Sequence, residues 1–228
     1  MYSGDCAEAY DDVTRLDRSE INAIVEVLQD FGTNAVVIDA ACGSGRLTVP
    51  LLERTVARVL ALDNSQRSLE LLRSRIANPS QSERLEIIDM DITALDIVQP
   101  AQAYVLGTST ISHFSPAARA QVLKEAHRVL SVGGLVLVTY APRLVLEETA
   151  EVVGASGERY RFSSLRGEGG TVQSILERSD GSLRCTSEVY MHSMDEVREQ
   201  LESAGFDIAS ESTASEVSGH VLFVGVKS

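Results

Sequence analysis

The sequence predicts an α/β fold built on a mostly parallel sheet, and three observations point to it. Short apolar runs recur at 36–38, 57–62 and 85–88, the first of them three β-branched residues in a row, as suits a strand covered on both faces. Segments of helical period separate them, with Ile21, Ile24, Val25 and Leu28 in one and Leu69, Leu72 and Ile76 in another. A turn bearing Gly43 and Gly45 follows the first run, and glycine lets a backbone bend tightly and approach a ligand closely. Strands alternating with helices imply right-handed crossovers, with ligands bound at the carboxyl ends of the strands.

The elements follow in order. Residues 19–31 form a helix with Ser19 as its N-cap and Gly32 at its end. The first strand runs into the acidic turn 39–45, which opens a second helix. A strand over 57–64, a helix over 65–77 and a strand over 85–92 come next. Ser115-Pro116 is a cap followed by proline at the first helical position, and starts a helix over 116–130. Between 142 and 192 the pattern changes: residues 171–178 and 183–190 flank Ser179-Asp180-Gly181-Ser182, a hairpin signal, so antiparallel strands are added there. Ser193-Met194-Asp195-Glu196 is a capping box for a helix ending near Ala204-Gly205, and strands at 206–211 and 220–227 close the chain.

Acidic residues collect at the strand ends. Asp39 sits badly beside a pyrophosphate and suggests a ligand with a positive end. Asp63 can accept bonds from two ribose hydroxyls, and the acidic residues that end the strand at 85–92 can read an exocyclic adenine amine. A nicotinamide-binding domain would also place an acid after its second strand, but the third glycine of its fingerprint would fall at Thr48.

On these residues the chain resembles the class I S-adenosylmethionine-dependent methyltransferases. Residues 39–45 look like their first motif, Asp63 and Asn64 like the end of their second strand, and Asp91-Ile92 like the pair beside the adenine. Residues 105–114, including Thr108 and His113, are similar to the segment beside the methyl group, and 129–138 to the junction into the fifth strand. Ala41 and Gln102 depart from the usual residues. The resemblance covers most of 1–140 and resumes at 193–228. It implies S-adenosyl-L-methionine as cofactor and a Rossmann-like, seven-stranded, mostly parallel sheet whose last strand lies antiparallel between the fifth and sixth. Residues 1–228 are then a single domain, with 143–192 an antiparallel insertion between the fifth and sixth core strands, over the active site. Such insertions often contribute to dimerisation, which makes a homodimer compatible with the reading. Asp39, Ala41, Gly43, Gly45, Asp63, Asn64, Asp91, Ile92 and Thr108 become the cofactor-binding positions.

The net charge of −13 argues against a broad nucleic-acid surface and is compatible with simple solubility or with a cationic or amine substrate. No run of 18 apolar residues and no signal-peptide pattern occur, so a cytoplasmic protein without a membrane partner is expected. Cys6, Cys42 and Cys185 are odd in number and lack metal-ligand spacing, from which neither a disulfide framework nor a metal site is expected.

Methyl transfer from a sulfonium is an in-line displacement that needs no covalent enzyme intermediate. An amine acceptor must present a neutral nitrogen, whereas an alcohol usually needs a base or metal. The stretch 109–114 is similar to that of natural-product amine N,N-dimethyltransferases, which makes His113 a catalytic candidate as proton acceptor, orienting group or pocket lining. Residues 2–11 resemble the same group, in which a tyrosine closes the site; Tyr10 fits that place, or anchors the segment. Arg15 and Arg18 are partners for the cofactor carboxylate, or solvated charges. The expected activity is N-methylation of a small amine in specialised metabolism, either an amino sugar or the terminal amine of a modified peptide. The alternatives are O-methylation of a small molecule and a non-catalytic, cofactor-binding scaffold.

Overall fold

The computed structural model describes residues 4–15, 18–76, 78–141, 149–215 and 219–228. In chain order its elements are α1 (Asp5–Thr14), α2 (Ser19–Leu28), β1 (Val36–Ala40), α3 (Thr48–Arg54), β2 (Arg58–Asp63), α4 (Gln66–Arg75), α5 (Pro79–Ser82), β3 (Leu85–Asp89), β4 (Ala101–Leu106), α6 (Pro116–Val129), β5 (Leu130–Tyr140), β6 (Thr149–Val153), β7 (Arg159–Arg166), β8 (Thr171–Arg178), β9 (Arg184–Tyr190), α7 (Met194–Ser203), β10 (Phe206–Thr213) and β11 (Val221–Lys227).

Seven strands form the main sheet in the order β10-β11-β5-β4-β1-β2-β3. The pairs from β5 to β3 are parallel, and β11 runs antiparallel to both β5 and β10, as the sequence predicts. The strand order reverses between β1 and β4, the topological switch point at which α/β sheets open a crevice at their carboxyl ends. Strand residues alternate between two apolar layers. Ile38, Leu60, Tyr104 and Val138 pack on one face with α6 and α7, and Val37, Val59, Val105 and Leu137 on the other with α2 and α3. Gln102, where an acid is more usual, takes the Val36 amide onto its side-chain oxygen at 2.7 Å and so ties β4 to β1.

The second sheet, β6-β7-β8-β9, is antiparallel throughout and stands between β5 and α7 in the chain. Its last hairpin has the bounds read from the sequence to within a residue. Ser65, Ser115 and Ser193 cap α4, α6 and α7, the last with both bonds of the capping box. Ser19 does not cap α2: it lies inside the first turn with Arg18 at the cap position, and the helix stops at Leu28, short of Gly32.

One expectation is overturned outright. Cys6 of α1 and Cys185 of β9 form a disulfide with 5.6 Å between their Cα atoms and 179 residues of separation. Only Cys42 stays free, and it is buried. An odd count says nothing about which thiols folding brings together. Here Ala9 and Val13 of α1 pack against Tyr160, Leu176 and Cys185 on one face of the small sheet, and that contact carries Cys6 onto its partner.

Candidate active site

A cavity of about 230 Å³ opens at the carboxyl ends of β1, β2 and β4. Its floor is the turn after β1, where Ala41 adopts a left-handed backbone with φ 55° and the chain bends again at Gly43 and Gly45. A Cβ on Gly43 would meet nothing within 4 Å, so that glycine fronts open space. A Cβ on Gly45 would collide with Leu72 of α4, which makes Gly45 a packing position; it does not line the cavity. Ala41, Cys42, Gly43 and Ser44 do.

Asp63 and Asn64 form the next wall. The Asp63 carboxylate accepts the Gly43 amide at 2.8 Å on one oxygen and the Ser65 amide at 2.8 Å on the other, so it shapes the turn as well as facing the cavity. Each oxygen keeps a second lone pair for a ligand hydroxyl. Burial raises the pKa of Asp63 against the pull of these amides.

Several sequence candidates stand elsewhere. Asp39 is buried behind the turn, where its carboxylate accepts the Thr48 hydroxyl at 2.5 Å and braces the start of α3. Burial pushes its pKa up to about 7 despite that bond. Thr48 occupies the place of the missing third glycine, and its hydroxyl is the reason it suits this loop. Asp91 caps its own turn, accepting the Thr93 amide and hydroxyl at 2.8 Å, and Ile92 is buried in the core; neither lines the cavity. Arg18 borders a separate cleft with Glu53 and Val49, and Arg15 is paired with Asp11.

The far wall is the segment after β4. Thr108 and Ser109 both hold left-handed backbones, φ 54° and 52°, before a single 3-10 turn over Thr110–His113. Non-glycine residues persist there only when their surroundings over-determine them. The buried carboxylate of Glu20 on α2 accepts the Thr108 amide and the Thr139 hydroxyl, and Ser109 accepts the Ala141 amide at 2.9 Å. Arg46 joins Glu20 at 2.6 Å, the Thr108 hydroxyl at 2.8 Å and the Thr14 carbonyl at 2.9 Å. Burial works to raise the Glu20 pKa, but the Arg46 charge leads a set of opposing contacts that hold it below its ordinary value.

This turn brings Thr108, Thr110, His113 and Phe114 to the same cavity. Burial lowers the His113 pKa to about 4, against a hydrogen bond to the Glu188 backbone in β9, so the ring is neutral at pH 7. A neutral imidazole that donates one N–H to a carbonyl offers its other nitrogen as a lone pair.

Residues 37–134 match the family described as methyltransferase domain, and the seven-stranded sheet and its crevice are those of class I. That matched segment, somewhat under half of the chain, is a methyltransferase domain. The fold of the chain is similar to that of an S-adenosylmethionine-dependent methyltransferase from Clostridium acetobutylicum, at TM-score 0.78 and 16% identity over 98% of each chain. It is also similar to CalS10, an amino pentose methyltransferase from Micromonospora echinaspora, at TM-score 0.76 and 16% identity over 100% of this chain and 98% of that one. The glycopeptide N-methyltransferase MtfA matches at TM-score 0.68 and 22% identity over 92% and 94%. No curated protein matches in sequence.

Ahead of the matched segment, α1 roofs the cavity with Ala7, Tyr10 and Thr14. The helix is fastened on both sides. Buried Asp11 accepts Ser44 of the turn, Arg75 of α4 and Arg15, and although burial raises its pKa these partners hold it below the ordinary value. Asp12 accepts the Ser156 amide at 2.7 Å and the Tyr160 hydroxyl at 3.1 Å from the small sheet. The cradle at Gly43, the acid at Asp63 and the roof suit a nucleoside with a flexible polar tail. Glu20, Arg46 and Asp11 were missed in the sequence. Glu20 could have been found, since it shares a helical face with Ile24 and Leu28. No helix among the described residues is long and apolar enough to cross a membrane.

Proposed function

We propose that this methyltransferase transfers the methyl group to the nitrogen of a small amine in specialised metabolism, an amino sugar or the terminal amine of a modified peptide. The observation that carries the reading is His113, a neutral imidazole in one cavity with Gly43, Asp63 and Tyr10. Two structural neighbours, an amino pentose methyltransferase and a glycopeptide N-methyltransferase, support the same acceptor class.

S-adenosyl-L-methionine supplies an electrophilic methyl group on a sulfonium centre. The chain's own residues divide the remaining tasks. Asp63 and Asn64 take the ribose hydroxyls, while Ala41 and Gly43 leave room for the methionyl end. Tyr10 covers the site, and Thr108 holds its far edge. His113 orients the acceptor and receives the proton that its nitrogen sheds. Asp39 and Gly45 serve as positioning residues behind the turn; Arg18, Asp91 and Ile92 have no part in it. The reading further treats 1–228 as one domain, with 149–192 of the insertion closing over the acceptor and its first residues, 143–148, outside the described ones, and places the reaction in the cytoplasm, where the Cys6–Cys185 bond must be shielded from reductants.

With a His113 pKa of about 4 the base is already deprotonated above pH 5. A rate that rises toward alkaline pH then reports loss of the acceptor's ammonium proton. Incubation with methyl-deuterated donor and a panel of amines and alcohols, read by mass spectrometry and NMR, should place the label on nitrogen. His113→Phe should lower turnover by about 10- to 10⁴-fold with donor affinity little changed. Label on oxygen or carbon with no nitrogen methylated would refute the amine assignment.

A further inference from the structure

A second cavity, also of about 230 Å³, lies between α1 and the small sheet. Val13 of α1, Val152 of β6, Phe162 of β7 and Leu176 of β8 line it, with Tyr10 and Thr14. Phe162 and Leu176 are cross-strand partners on the sheet face that α1 covers, and Phe162 is 36% exposed where the cavity opens to solvent. Among the described residues no charged side chain faces this cavity. The Thr14 hydroxyl already donates to the Tyr10 carbonyl at 2.9 Å. Tyr10 and Thr14 also line the active-site cavity, so they are a wall common to the two.

We infer that this second cavity is a subsite for an apolar body of the methyl acceptor, whose amine reaches past Tyr10 and Thr14 into the active site. The inference rests on the proposed amine methylation and narrows it. A free amino sugar would bring hydroxyls to a surface with almost nothing to bond them, and a buried hydroxyl without a partner is strongly disfavoured. A hydrocarbon or aromatic group gains from the same surface. The acceptor class is therefore an amine attached to an apolar body: an N-terminal residue with a large side chain, or an amino sugar already joined to an apolar aglycone. In that second case glycosyl transfer must precede methylation.

The test uses n-butylamine, n-hexylamine and n-octylamine with the matching n-alkanols as probes, titrated by ligand-observed NMR into protein loaded with S-adenosylhomocysteine. Affinity should rise about fourfold per methylene for amines and alkanols alike until the cavity is full. Phe162→Asp, and independently Val152→Asp, should abolish the dependence on chain length with S-adenosylhomocysteine affinity unchanged. Affinity independent of chain length, or a dependence that survives both substitutions, would overturn the subsite. Chain-length-dependent binding without any N-methylated product would leave the subsite standing and refute the amine chemistry. Methylation of amines with no such dependence would do the reverse.

Discussion

Gly43 and Gly45 stand two residues apart and answer to different constraints. Both need a left-handed backbone, but a side chain on Gly43 would enter the cavity, whereas one on Gly45 would strike Leu72. Gly43→Val should therefore abolish S-adenosylhomocysteine binding in calorimetry while thermal unfolding stays cooperative, its backbone strain costing about 1–3 kcal/mol. Gly45→Ala should act on stability instead, through overpacking of about 1–3 kcal/mol, which a chain of this size shows as about 2–4 °C in Tm per kcal/mol. The folded Gly45→Ala protein should still bind. At this scale the sequence marks residue types at strand ends, and Ala41, Gly43, Asp63, Asn64 and Thr108 do line one cavity. It does not say which way a side chain turns. Asp91 spends its short carboxylate on Thr93, and Asp39 spends its own on Thr48.

At the scale of elements, α1 sets access to the site. Its sequence mixes acids with small residues, and its role becomes visible only where Ala9 and Val13 meet the small sheet and Asp11 meets Ser44 and Arg75. The Cys6–Cys185 bond closes a loop of most of the chain, and loops that long gain about 2–4 kcal/mol from a crosslink. Cys185→Ser, or reductant on the native protein, should lower Tm measurably, while the parallel core keeps its cooperative transition. An unchanged Tm would mean that the bond contributes nothing to stability. The main strands were legible because most are compact apolar runs, and the β8–β9 hairpin because Asp180-Gly181 breaks an alternating pattern. β6 and β7 were not individually legible: Thr149–Val153 is exposed along most of its length, so no buried face imposes a period on it.

Over the whole molecule, the main sheet fixes the donor crevice at its switch point, and the small sheet with α1 encloses the space in front of it. The parallel core was readable from the alternation of elements, and the antiparallel place of β11 from the family resemblance. The relation between the two sheets was not readable, because it depends on α1, whose Cys6 meets Cys185 across 179 residues of sequence. Hydrogen exchange with and without S-adenosylhomocysteine tests the position of the donor site across the entire chain in one experiment. Binding should slow exchange in α1, in the turn 41–46, at 63–68 and at 108–114, and leave 91–93 and the outer strand β6 unchanged. Tight binding with protection centred on 91–93 or on the cleft beside Arg18, and none at 41–46, would contradict it.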